Sequence, residues 1–194
     1  MTDKKTICVY CGASSRVDQK YNDAAVETAT RLAKEGYDIV YGGGSFGLMG
    51  IIANTALEHG ANVIGIIPGH IDEREKIHPE LTELHVVESM HERKAMMAER
   101  SDIFLILPGG LGTMDEFFEI VTWKQLGLHD KSIIIYNIEK YWENLKLLVS
   151  HIGEEKFMKN KDHGLFSFCN DLDDVIKLIK EAPVSNKVFK GDMA

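Results

Sequence analysis

Two glycine-rich stretches, a carboxylate and a basic pair are the residues here whose types and spacing could do chemistry. Gly42-Gly43-Gly44-Ser45-Phe46-Gly47 and Pro108-Gly109-Gly110-Leu111-Gly112-Thr113 each follow an apolar run, and the second opens a helical pattern. Glycine at a strand-to-helix turn lets an anion come close to the backbone, where the free amides of the helix start point at it. Together with Gly12, Ser14 and Ser15 in the loop after the first apolar run, these turns read as a phosphate cradle. One glycine-rich turn is as often only a tight turn; two on one sheet edge favour phosphate. Glu116 lies one turn into the helix after the second stretch and is the sharpest candidate for acid–base work or cation stabilisation. Its spacing from Thr113 also fits a capping box, where it would merely satisfy a backbone amide, and spacing alone favours the cap. Asp115 beside it suits a helix N-terminus electrostatically. Arg93-Lys94 lies early in another helical stretch, behind a Ser89/Glu92 capping box. An adjacent basic pair is most often a solvated face. Met90, Met97 and Ala98 on that stretch read as core.

Other chemistries find little support. Gly42-x-Gly44-x-x-Gly47 formally matches the dinucleotide fingerprint, but it follows the second strand. No acidic residue ends the next strand to hold a ribose diol, which disfavours NAD. The P-loop and H-E-x-x-H patterns are missing. Eight scattered histidines suggest no metal site, and neither metal nor cofactor is expected. Cys8, Cys11 and Cys169 fit no disulfide framework; they read as reduced core and loop thiols.

The elements that must position these residues follow from composition and periodicity. The 194 residues are 44% apolar and 27% charged, enough for one domain with a sizeable core. A net charge of −8 argues against a nucleic-acid partner, which needs basic patches. No 18-residue apolar run exists to span a membrane, and no signal peptide is evident, so the expected location is cytoplasmic. Strands are expected at 6–10, 38–41, 62–67, 84–87, 102–107, 132–136 and 165–168. Helices are expected at 21–36, 48–59, 89–100, 113–126, 141–152 and 171–181. Strands apolar on both faces that alternate with helices predict a parallel sheet covered on both sides. The expectation is a single doubly wound, Rossmann-like α/β domain over 1–183, with a polar, mobile tail at 184–194. In such folds ligands bind at the carboxyl ends of the strands.

Pro108-Gly109-Gly110-Leu111-Gly112-Thr113-Met114-Asp115-Glu116 resembles the P-G-G-x-G-T-x-x-E signature of the LOG ("lonely guy") family. Met90-His91-Glu92-Arg93-Lys94 is similar to that family's M-H-x-R-K segment. The Gly42–Gly50 region and Thr122-Trp123-Lys124-Gln125-Leu126-Gly127-Leu128-His129 resemble two further segments. The resemblance spans about residues 7 to 151, with its motifs in order. It implies a cytokinin riboside 5′-monophosphate phosphoribohydrolase, which splits an N6-modified AMP into free base and ribose 5-phosphate. It implies Arg93 and Glu116 as the catalytic pair. It implies a nucleotide site of Lys94, Gly109, Gly110, Leu111, Gly112, Thr113, Met114, Asp115 and Thr122, with Glu80 as a further substrate contact. Gly12, Ser14, Ser15, Gly43 and Gly44 complete the expected site from the glycine turns. Met97, Phe46 and the 68–83 segment are candidates for apolar contacts to the N6 group. Family members of this length form homodimers, so the partners expected are a nucleoside 5′-monophosphate and a second copy of the chain. The alternatives are an AMP nucleosidase in salvage, or a non-enzymatic nucleotide carrier on the same fold.

Overall fold

The computed structural model describes residues 4–69, 76–158 and 164–183. Seven strands form one parallel sheet in the order β4-β3-β2-β1-β5-β6-β7. They are β1 Thr6–Tyr10, β2 Asp38–Tyr41, β3 Val63–Pro68, β4 Glu83–Val87, β5 Ile103–Ile106, β6 Ser132–Tyr136 and β7 Ser167–Cys169. Among the described residues the helices are α1 Gln19–Lys34, α2 Gly47–Glu58, α3 Met90–Glu99, α4 Leu111–Gln125, α5 Glu143–Glu154 and α6 Leu172–Glu181. None of these helices is long and apolar enough to cross a membrane.

Strand alternation sends neighbouring residues to opposite faces, and β1 shows it plainly. Ile7 and Val9 join a core with Ala25, Ala29 and Leu32 of α1, Ile52 and Ala56 of α2, and Val175 and Ile179 of α6. Cys8 and Tyr10 join the other core, with Met97 and Ala98 of α3, Phe117 and Ile120 of α4, and Leu145 of α5. Helices therefore cover both faces, as the doubly apolar strands predict.

The chain winds outward from β1 to β4, returns to β5 on the other side of β1, and winds outward again to β7. Direction reverses between β1 and β5, so their following loops part and leave a crevice at the strand ends. Gly12 donates its amide to the Pro108 carbonyl at 3.0 Å, and Leu48 donates to the Gly12 carbonyl at 2.9 Å. The loops after β1 and β5 and the start of α2 are thus tied together around that crevice.

Several boundaries differ from the periodicity. Helix α4 begins at Leu111 with Gly110 as its N-cap, two residues before Thr113. On α3 the Ser89 hydroxyl accepts from the Glu92 amide, but the Glu92 carboxylate accepts from Glu88 instead of Ser89. A 3-10 turn at Ile138–Lys140, with Glu139 and Lys140 at positive φ, delays α5 to Glu143. The tail at 184–194 lies outside the described residues.

Two buried side chains brace α3 and α4 at their far ends. Lys131 Nζ donates to the Ala98 carbonyl at 2.6 Å, closing the last turn of α3. His129 Nε2 lies 2.8 Å from the Ile120 carbonyl of α4, and its ring packs on Phe104. Burial lowers the His129 pKa to about 4, with the cations of Lys124 and Lys131 adding to the effect, so the ring is neutral.

Candidate active site

A cleft of about 470 Å³ opens at the β1/β5 reversal. The β1 loop contributes Cys11, Gly12, Ala13 and Ser14; the β5 loop and α4 contribute Pro108, Gly109, Gly110, Gly112, Thr113, Asp115 and Glu116. Arg93 and Met90 come from α3, and Gly42 from the end of β2.

Helix α4 aims its start into this cleft. The Met114 amide donates to the Gly110 carbonyl at 3.1 Å, the first bond of the helix. The amides of Gly110, Leu111, Gly112 and Thr113 therefore have no carbonyl one turn earlier to bond. A Cβ at Gly110 or Gly112 would meet no atom within 4 Å, so these amides are approachable from outside. A Cβ at Gly109 would overlap the Thr113 side chain, which accounts for glycine there. Tyr141 donates its hydroxyl to the Gly109 carbonyl at 2.6 Å and meets Tyr21 edge-on, 5.6 Å between ring centres.

Because α4 starts at Leu111, Thr113 sits at its third residue and no Thr113–Glu116 capping box exists. Glu116 is half-buried in the cleft wall, so the structural role favoured on spacing does not apply.

The solvated-face expectation for Arg93-Lys94 is likewise overturned. Arg93 is only 3% exposed. Its Nε donates to the Ile66 carbonyl at 3.1 Å and its Nη2 to the Gly42 carbonyl at 2.6 Å. The ends of β2 and β3 thus hold a permanent cation at the cleft floor. A Cβ at Gly42 would overlap this guanidinium. Lys94 Nζ lies 3.0 Å from Asp115 and 3.1 Å from Glu119. Burial works against its charge, but hydrogen bonds to both carboxylates outweigh burial and raise its pKa.

The cysteines are free and buried. Burial pushes the Cys8 and Cys11 thiols well up, and the Glu116 charge adds to it, so neither forms a thiolate nucleophile at neutral pH.

The expected site residues divide on placement. Arg93, Glu116, Gly12, Ser14, Gly109, Gly110, Gly112, Thr113 and Asp115 come together around the cleft. Ser15 accepts from the Gly47 amide and ties the β1 loop to α2 instead of lining the cleft. Gly43 backs onto Ile66 and Ile67 of β3, and Gly44 accepts from the Tyr41 hydroxyl. Leu111 is 87% exposed on the outer side, and Met114 packs against the core. Thr122 is turned to its own helix, donating to the Phe118 carbonyl. Glu80 is exposed and outside the cleft lining. Of the apolar candidates, Met97 is fully buried and Phe46 is exposed off the cleft, while residues 70–75 lie outside the described residues. Met90 is no core residue: it is 36% exposed and lines the cleft. Val17, Tyr21, Met49 and Tyr141 line it too and were not anticipated. Tyr141 follows β6, and the rule that strand-following loops build the site would have reached it.

Comparison with known proteins bears on the family and the fold. Residues 49–179 match the family model described as possible lysine decarboxylase. A cytokinin riboside 5′-monophosphate phosphoribohydrolase of Arabidopsis thaliana is 40% identical over 91% of this chain and 83% of its own. One from Rhodococcoides fascians is 41% identical over 91% of this chain and 89% of its own. Among solved structures, the molybdenum cofactor carrier protein of Chlamydomonas reinhardtii superposes with a TM-score of 0.71. It is 22% identical, over 92% of this chain and 97% of that one, a likeness of fold alone. Sequence identity of this extent, over most of both chains, means that this chain belongs to the LOG family, the cytokinin riboside 5′-monophosphate phosphoribohydrolases.

Proposed function

We propose that the protein hydrolyses the N-glycosidic bond of N6-modified AMP, releasing the free base and ribose 5-phosphate. The observation that carries this reading is one cleft holding an anion-seeking helix start, a fixed cation and a carboxylate. These are the α4 amides, Arg93 and Glu116.

The 5′-phosphate docks on the amides of Gly110, Gly112 and Thr113, where the helix dipole adds to the hydrogen bonds. Ser14 borders the same space. With the phosphate fixed, ribose C1′ faces Glu116. Breaking the C1′–N9 bond leaves its electron pair on the base and positive charge on the ribose, as in glycoside hydrolysis. The Glu116 carboxylate stabilises that charge and takes a proton from the attacking water, whose oxygen bonds C1′. The departing base takes up a proton on nitrogen from solvent and Glu116 returns its own to solvent, so the net reaction consumes one water. Arg93 keeps its proton at any working pH, so it contributes fixed positive charge and orientation instead of acid catalysis.

The carrier alternative draws only on fold likeness at 22% identity, while the relatives at 40% are hydrolases by name. Whether plain AMP or an N6-substituted form is preferred depends on apolar contacts worth only ~1–3 kcal/mol each, so graded activity on both is expected.

The test is chromatographic detection of free base from isopentenyladenosine monophosphate, AMP and the unphosphorylated riboside. Release from monophosphates, reduced at least ~100-fold in Glu116→Gln, is the expected result. Full turnover by Glu116→Gln would refute the role given to that carboxylate.

A further inference from the structure

Lys94 does not line the cleft, yet it lies between the two helices that bear the reacting groups. On α3 it directly follows Arg93. From there its ammonium reaches Asp115 and Glu119 on α4, the residues one before and three after Glu116. Its side chain is only 12% exposed, and Glu119 only 20%. Such a pair is shielded from solvent and salt far more than a surface ion pair.

Resting on the hydrolase reading above, we propose that Lys94 is a positioning residue and not a substrate contact. It clamps α4 to α3 so that Glu116 and Arg93 keep their spacing, and it neutralises the two carboxylates that flank Glu116.

The second effect follows from the charges around Glu116. From α3, Arg93 lines the same cleft and Lys94 reaches the carboxylates beside it; on its own helix its charged neighbours are Asp115 and Glu119. From β1 come Tyr10 and Cys8, and from the loop after it Cys11, all buried and protonated. Asp115 and Glu119 place two negative charges within five residues of Glu116 on one helix, and the Lys94 ammonium lies against both. Its ammonium also screens Asp115, which lines the cleft, from a phosphate dianion.

The experiment compares wild type, Lys94→Met, Lys94→Arg and Glu119→Leu in the base-release assay across pH, with amide hydrogen exchange over residues 111–119. For Lys94→Met, kcat is expected to fall roughly tenfold while KM stays within about threefold. The acid limb of its kcat/KM profile is expected at higher pH, because two uncompensated negative charges now oppose ionisation of Glu116. Exchange at 111–119 quickens, and Lys94→Arg recovers most of the turnover. A rise in KM alone, with kcat and the acid limb unmoved, would make Lys94 a substrate contact and overturn the proposal. If Lys94→Met does not fold, Glu119→Leu decides: a lowered kcat with faster exchange supports the clamp, and unchanged values sink it. If the wild type releases no base from any monophosphate, the hydrolase reading fails on its own. The clamp then stands or falls on exchange in Lys94→Met, unchanged protection refuting it.

Discussion

Gly42 and Arg93 constrain one another at the cleft floor. The guanidinium occupies the space a Cβ at Gly42 would need, and it bonds that glycine's own carbonyl. Gly42→Ala is therefore expected to expel the guanidinium from the carbonyls of Gly42 and Ile66. Overpacking of this kind costs about 1–3 kcal/mol in stability. Activity should fall much further than stability, and thermal melting beside turnover would separate the two. Normal turnover by Gly42→Ala would show that Arg93 need not sit where it does. The sequence marked Gly42 as part of a phosphate cradle; its actual neighbour is a side chain 51 residues away, which no local spacing announces. Glu116 was legible as a candidate, but its competing role as a cap depended on where α4 starts. A two-residue shift of that start removes the cap, and helix starts are what periodicity fixes least well.

At the scale of elements, α3 and α4 behave as a pair held at both ends. Lys94 joins their beginnings, and the 129–131 segment joins their ends through Lys131 to Ala98 and His129 to Ile120. This gives the Thr122–His129 stretch, visible in the sequence as a recognisable segment, a structural task. The imidazole there has its pKa lowered to about 4 by burial, against an ordinary value near 6.5. The unfolded chain thus binds a proton between those values that the folded one does not. Stability from this group is complete above about pH 6.5 and is lost as pH falls toward 4. The melting temperature should rise across that window in the wild type, and His129→Gln should flatten the rise. An identical pH dependence in the variant would acquit His129. The strands themselves were legible almost to the residue, because a strand apolar on both faces has few alternatives in a covered parallel sheet. Helix α5, expected at 141–152, is shifted two residues onward, because the chain first turns through Ile138–Lys140 with Glu139 and Lys140 at positive φ.

For the whole molecule, the sheet order was not written in any one segment, yet it decides where the cleft lies. Alternating strands and helices indicate a doubly wound sheet; only the reversal between β1 and β5 says which loops meet. The outer surface adds a second expectation. Leu111, Leu126 and Leu128 on and after α4 are 87%, 70% and 37% exposed, and Met90 on α3 is 36% exposed. Exposed large apolar side chains on this pair of helices suit an interface between copies of the chain. The homodimer is expected as a doubled mass in light scattering, and Leu126→Glu should lower it; a monomeric wild type would refute this. The β1–β5 pairing, Ile7 against Ile103, carries a consequence in time. The crevice does not exist while only the first four strands have formed, however well each is made. It appears at the moment a late strand inserts beside the earliest one. The cleft is therefore complete only once the longest loop joining neighbouring strands has closed.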